Sequence, residues 1–174
     1  MPNVASSTIV VIGDTHTTSF EKLPPRMLQA ITEADWVIHV GDYTSKDVFD
    51  GLARLKGNRF RGVYGNTDPL SIRFEAPIRA ILEIHGKRIG ITHPAAGGAP
   101  EGIEARLIAE FREYNVNAIV YGHIHEPKIM MLGGILLINP GKGYMEKSYF
   151  GAPTSFAVIT VGEEIKAKIT SIQS

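Results

Sequence analysis

The chain has 174 residues, 44% of them hydrophobic, and its 18 Lys and Arg balance its 18 Asp and Glu to a formal net charge of zero. That length and apolar content suit one globular domain over residues 1–174 with a sizeable core, while the balanced charge gives no general pull towards nucleic acid, and no Lys/Arg run with interleaved aromatics marks a dedicated surface for it. The absence of Cys excludes disulfides and thiolate-bound metal; no apolar run is long enough to span a membrane and no export signal opens the chain, so a cytoplasmic protein is expected.

In chain order, Ile9–Ile12 is a short β-branched run that reads as a buried strand and leads into Gly13-Asp14-Thr15-His16. A helix is expected over Pro24–Glu33, and the next strand, Trp36–Val40, delivers Gly41-Asp42. A second helix over Ser45–Lys56 precedes the strand Phe60–Tyr64 and its sequel Gly65-Asn66-Thr67-Asp68. Ile84-His85-Gly86-Lys87-Arg88 reads as a hairpin turn, and the strand Ile89–Ile91 ends at Thr92-His93. A third helix over Pro100–Tyr114 sets Ile103, Leu107, Ile108 and Phe111 on one stripe, with Glu101, Glu104, Arg106 and Glu110 elsewhere on its surface. The strand Ala118–Tyr121 then runs into Gly122-His123-Ile124-His125. Beyond it Lys128–Leu132, Gly134–Ile138, Thr154–Val161 and Ile165–Ile172 read as antiparallel strands joined by Gly-rich turns. The expected fold class is therefore α/β, a two-sheet αββα sandwich with its helices outside.

Asp or Asn in one such turn bonds back to its own backbone and means little. Here four of the six His residues also fall just past strand ends, where side chains of an open α/β sheet are free for chemistry. The preceding Gly residues fit a backbone that turns sharply as it leaves the strand. Asp, Asn and His form an oxygen and nitrogen donor set that suits Mn²⁺, Fe²⁺, Zn²⁺, Co²⁺ or Ni²⁺. A pair of such ions about 3.5–4 Å apart clamps phosphoryl oxygens during in-line displacement. Two divalent ions, two carboxylates and one hydroxide leave a positive inner shell that attracts a phosphodiester anion.

The ordered set Asp-x-His, Gly-Asp, Gly-Asn-x-Asp, His and Gly-His-x-His, from Ile9 through Gly141, resembles the calcineurin-like metallophosphoesterase superfamily, above all its compact single-domain phosphodiesterases. The resemblance implies that Asp14, His16 and His125 hold a first metal, that Asp42 bridges, and that Asn66, His93 and His123 complete the second. It further implies a metal-bridging hydroxide nucleophile, Asn66 on the phosphate, Mn²⁺ ahead of Ni²⁺, Fe²⁺, Co²⁺ or Zn²⁺, and a homodimer or homotetramer. His123 and His125 alternate along the chain, so an irregular loop is needed to bring both to one site.

Three departures stand out. Thr67 takes the place of the His that larger relatives use as a candidate general acid, which predicts a preference for good leaving groups. Pro94 follows His93 and biases it towards extended geometry. Asn139-Pro140-Gly141-Lys142 resembles the family's Asn-Pro-Gly-Ser turn, and Lys142 reads as a solvated turn lysine, with a cation near the phosphate as the alternative.

Asp68 is a candidate catalytic group or, alternatively, the residue that orients Asn66. His39 lies inside a strand and reads as a hydrogen-bonded supporting residue, while Asp35 and Asp47 read as turn and helix-start groups. Tyr43, Arg73, Phe74, Tyr144 and Tyr149 are candidates to border the site or to be ordinary core or surface. The function expected is metal-dependent hydrolysis of a small-molecule phosphodiester. A phosphomonoesterase acting on nucleotides or sugar phosphates, and a non-catalytic scaffold like the retromer subunit of this fold, are the alternatives.

Overall fold

The computed structural model describes residues 4–94, 102–145 and 152–172. Sheet A has the order β10-β9-β1-β2-β3, from Ile165–Ile172 (β10), Thr154–Val161 (β9), Ser7–Ile12 (β1), Trp36–His39 (β2) and Phe60–Gly62 (β3). Sheet B has the order β4-β5-β6-β8-β7, from Arg79–Ile84 (β4), Lys87–Thr92 (β5), Ala118–Tyr121 (β6), Ile135–Asn139 (β8) and Lys128–Leu132 (β7). Helices α1 (Pro25–Glu33), α2 (Lys46–Lys56), α3 (Leu70–Arg73) and α4 (Ile103–Glu110) flank them. None of the described helices is long and apolar enough to cross a membrane.

Strand alternation builds the layers, because successive side chains point to opposite faces. Ile9 and Val11 of β1 join Ile38, Ile89, Ile91, Val120 and Ile138 in a core between the sheets. Val10 and Ile12 face the other way, against Met27 and Ile31 of α1 and Val48 and Leu52 of α2. Ile103, Leu107 and Phe111 pack on Ile119, Tyr121 and Leu137 of sheet B. The result is the helix–sheet–sheet–helix order expected from the sequence.

Strands β1, β2 and β3 run parallel, as do β5, β6 and β8. The loops leaving β1 and β2 are laced together by Asp14 N–H donating to Gly41 O (2.9 Å) and Thr15 N–H to Asp42 O (3.1 Å). Sheet B's loops reach the same place, with Gly143 N–H donating to Asp14 O at 3.1 Å.

Several boundaries differ from expectation. The C-terminal strands are two hairpins that split, β7–β8 extending sheet B and β9–β10 extending sheet A, and β8 is parallel to β6 rather than wholly within antiparallel material. A hairpin adds wherever its apolar face finds an open sheet edge, which chain order does not specify. The third helix is shorter than Pro100–Tyr114: α4 ends at Glu110, and a 3₁₀ turn covers Arg112–Tyr114. Pro100 and Glu101 lie outside the described residues. The sequence pattern marks neither strand β4 nor the one-turn α3; β4 pairs with β5 through a hairpin whose His85 (φ 49°) and Gly86 (φ 72°) form the turn.

Gly90 of β5 is fitted to α4's apolar stripe, since a Cβ there would lie 2.7 Å from Cε1 of Phe111. Gly90→Ala is expected to cost about 1–3 kcal/mol by overpacking, and Phe111→Ala about 3–5 kcal/mol by leaving a cavity. The double variant should cost less than the sum, because the new methyl group occupies part of that cavity. Urea unfolding of the three variants checks this, and additive costs would mean that the two groups do not share the space.

Candidate metal centre

The residues at the strand ends carry the strain themselves. Asp14 (φ 47°), His16 (φ 39°), Asp42 (φ 61°) and His123 (φ 79°) all have left-handed backbone, a conformation that costs of order 1–3 kcal/mol and persists only where its surroundings enforce it. The glycines beside them mainly provide clearance. A Cβ on Gly65 would lie 2.1 Å from Asp42 Oδ1, and one on Gly13 2.2 Å from Val40 Cγ2. Of the glycines preceding these site residues, Gly41 alone has a positive φ, so the sharp-turn explanation holds for that position and steric clearance for the others.

Asp14 and Asp42 are buried, at 0% and 3% exposure. Asp42 Oδ1 accepts from Thr67 N–H at 2.9 Å, while its Oδ2 lies 3.8 Å from His16 Nε2 and 3.4 Å from His93 Nε2. Asp14 Oδ2 accepts from His123 N–H at 3.1 Å, and its Oδ1 lies 4.0 Å from His16 Nε2 and 3.5 Å from His125 Nε2. Each carboxylate thus has one oxygen fixed by backbone and the other turned towards imidazoles. Asp14 raises the proton affinity of the His125 imidazole above its ordinary value, against the opposing effect of burial.

These donors fit a cation. Asp14 Oδ1 and His16 Nε2 are buried without a hydrogen-bond partner among the described residues. His93 donates Nδ1–H to Val40 O at 2.9 Å, which leaves the Nε2 lone pair facing Asn66 Oδ1 at 2.8 Å as well as Asp42 Oδ2. One proton satisfies one such contact, whereas a divalent ion satisfies several at once. Two triads of donor atoms lie close enough to hold an ion, Asp14 with His16 and His125, and Asp14 with Asp42 and His93. Pro94 does not disturb this, since His93 turns inward and is 1% exposed. His123 lies outside both triads, its ring centroid 5.4 Å from that of His93.

Around these donors is a supporting layer. The Asp68 carboxylate accepts three backbone N–H groups, from Asp42 (2.8 Å), Gly65 (2.8 Å) and Thr44 (2.9 Å), and so ties the loop after β2 to the start of its own loop. Burial raises its pKa, and those three bonds pull the other way. His39 accepts Gly41 N–H at Nδ1 (3.0 Å), so the proton is on Nε2 and is donated to Thr15 Oγ1 (3.0 Å). Burial, then the charges of His93 and His16, hold its pKa well below the usual range. Asn139, not singled out as a site group from the sequence, donates Nδ2–H to Ile124 O at 2.7 Å and so holds the His123–His125 loop from beneath.

Lys142 is not a solvated turn lysine. It is 6% exposed, because its turn is stapled inward by Lys142 N–H to His125 O at 3.1 Å and Ser155 Oγ–H to Pro140 O at 2.7 Å. Its Nζ lies 4.9 Å from the ring centroid of Tyr144, whose ring stands edge-on to His16 and His125 at 5.4 and 5.7 Å. Tyr144 therefore borders the centre. Tyr43 is buried in the core, stacked on His39 at 3.6 Å. Phe74 is exposed on the surface, and Tyr149 lies outside the described residues. Asp35 accepts from Thr8 N–H, and Asp47, in the first turn of α2, from Phe20 N–H, both structural bonds that join segments 27 residues apart.

Residues 8–164 match the calcineurin-like phosphoesterase superfamily domain. The chain is 32% identical to a probable metallophosphoesterase of Methanocaldococcus jannaschii over 95% of its own length and 81% of that protein's. Its fold is similar to that of Entamoeba histolytica Vps29 in complex with Zn²⁺ (TM-score 0.70, 20% identity, 94% and 98% of the two chains). It is also similar to that of an archaeal phosphodiesterase (TM-score 0.67, 21% identity, 94% and 99%).

Asp68→Asn sets an amide N–H against backbone donors, so it is expected to cost about 1–3 kcal/mol of stability and about 10–100-fold in metal affinity; unfolding and metal titration together check this. His39 gives a pH signature in the metal-free protein. Its folded pKa is depressed and its unfolded pKa is about 6.5, so its stability contribution is full above that pH and is lost as pH falls below it. Unfolding measured from pH 7 to 5 should therefore show a steeper loss in wild type than in His39→Asn, and equal slopes would remove His39 as the source.

Proposed function

The chain belongs to the calcineurin-like phosphoesterase superfamily, and on that footing we propose that it hydrolyses phosphodiesters at a pair of divalent metal ions. The observation that carries this reading is that two donor triads share one buried carboxylate, Asp14. In it, Asp14, His16 and His125 would hold one ion and Asn66, His93 and His123 the second, with Asp42, whose Oδ2 lies 3.8 Å from His16 Nε2 and 3.4 Å from His93 Nε2, as the bridging carboxylate beside Asp14. Mn²⁺ is the first choice by resemblance to the family, while the mixed oxygen and nitrogen set itself suits Ni²⁺, Fe²⁺, Co²⁺ or Zn²⁺ as well. When bound, the ions supply Lewis-acid stabilisation of phosphoryl oxygens and an activated water.

The chain's own groups do the rest. Asn66, exposed beside His93, orients the ester. Tyr144 closes one side of the centre against His16 and His125. At position 67 the backbone N–H is committed to Asp42 and the side chain is an alcohol, so the leaving oxygen departs as its anion or takes a proton from water. Diesters of acidic alcohols are therefore the preferred substrates, and phosphomonoesters the competing class.

A second reading is favoured by the likeness in fold to Vps29: a metal-binding platform without turnover. The two part at hydrolysis of bis-p-nitrophenyl phosphate by chelator-stripped protein supplied with Mn²⁺, Ni²⁺, Zn²⁺ or Mg²⁺. Activity should return with a transition metal and fall at least a hundredfold in Asp42→Ala, with aryl diesters ahead of alkyl diesters and of monoesters. No turnover from folded, metal-loaded protein would favour the platform, and faster monoester hydrolysis would make the enzyme a phosphomonoesterase.

A further inference from the structure

We propose that Arg73 is a positioning residue, a guanidinium clamp on the Asn66 loop that aims the Asn66 side chain at the second metal. This rests on the dinuclear reading above.

Asn66 and Thr67 are exposed, so no packing fixes that part of the loop from outside. On the inner side the loop is tied by Thr67 N–H to Asp42 Oδ1 and by the Asp68 carboxylate. On the outer side Arg73 donates Nη2–H to Asn66 O and Nε–H to Asp68 O, both at 2.8 Å. The two carbonyls belong to the Asn66–Thr67 and Asp68–Pro69 peptides, so one planar group fixes both of these planes, one just before Thr67 and one a residue beyond it. The face of that group is held in turn, with Tyr64's ring centroid 5.3 Å from the guanidinium carbon.

The clamp's base is also anchored. Arg73 is the last residue of α3, which starts directly after Pro69 and buries Ile72 in the core that also holds Val48 and Leu52 of α2. A four-residue helix has little stability of its own, so Ile72 and Arg73 account for its placement and through it for the outer face of the loop. With the backbone clamped on both faces, Asn66 Oδ1 stands 2.8 Å from His93 Nε2. A Lys at position 73 cannot reproduce this, because a single ammonium lacks the fork that spans two acceptors in one plane.

The test is calorimetric titration of Mn²⁺ into chelator-stripped wild type, Arg73→Ala, Arg73→Lys and Asn66→Ala, with thermal unfolding and bis-p-nitrophenyl phosphate kinetics on the same samples. Wild type should take up two ions. One binding step should weaken about tenfold or more in Arg73→Ala, as in Asn66→Ala, with Arg73→Lys recovering part of it and the other step unchanged. kcat should fall by a similar factor with a smaller change in KM, since Arg73 itself touches no substrate and acts through the aim of Asn66. If Asn66→Ala weakens one step while Arg73→Ala leaves both intact, the inference is overturned and the dinuclear reading stands, whatever happens to thermal stability. If wild type takes up only one ion, the dinuclear reading fails and the inference with it.

Discussion

Two carboxylates buried side by side are the constraint on which the rest of the structure depends. Removing an ionised carboxylate from water costs several kcal/mol unless it is paired and hydrogen-bonded, and Asp14 and Asp42 are both inside. Each has one oxygen satisfied by a backbone N–H from a different loop, Thr67 for Asp42 and His123 for Asp14. The other oxygens face imidazoles, of which His93 has its Nδ1–H committed to Val40 O and so offers a lone pair rather than a proton, and a divalent cation resolves that arrangement more fully than a proton does. The left-handed backbone at Asp14, His16, Asp42 and His123 follows from bringing these groups so close.

The sandwich makes that closeness affordable. Strands β1 and β2 deliver Asp14 and Asp42 from sheet A, while β5 and β6 deliver His93 and the His123–His125 loop from sheet B. The core between the sheets, with Ile9, Val11, Ile89, Ile91 and Val120, holds both sets at one level. Strain at loop ends is tolerable because it is small beside this apolar burial. The two sheets are further joined at the site itself by His93 Nδ1–H to Val40 O and Gly143 N–H to Asp14 O. The candidate metal centre and the sheet–sheet interface are thus one mechanical unit.

The departures from the family pattern are accommodated differently. Pro94 leaves His93 in place. Thr67 contributes its backbone to Asp42, a role indifferent to the missing imidazole. Lys142 is drawn inward by its turn and set over Tyr144, which places a cation within the wall of the centre rather than in solvent.

Hydrophobic period and strand-end chemistry, both local in sequence, determined much of this protein. The alternation in Ile9–Ile12 and the helical stripe of Ile103, Leu107 and Phe111 specify two faces each, and those faces admit little but a layered sandwich. The donor residues were legible because each sits just after a recognisable strand. What tertiary structure alone decided are contacts between residues distant in sequence or dependent on clearance. Asn139 under Ile124, the Asp68 carboxylate over three N–H groups and the Arg73 fork on Asn66 and Asp68 depend on where carbonyls and N–H groups point, which residue types do not encode. The partition of the two C-terminal hairpins between sheets, and the burial of Lys142, depend on which edges and walls the rest of the fold leaves open, a property of the assembled layers rather than of any segment.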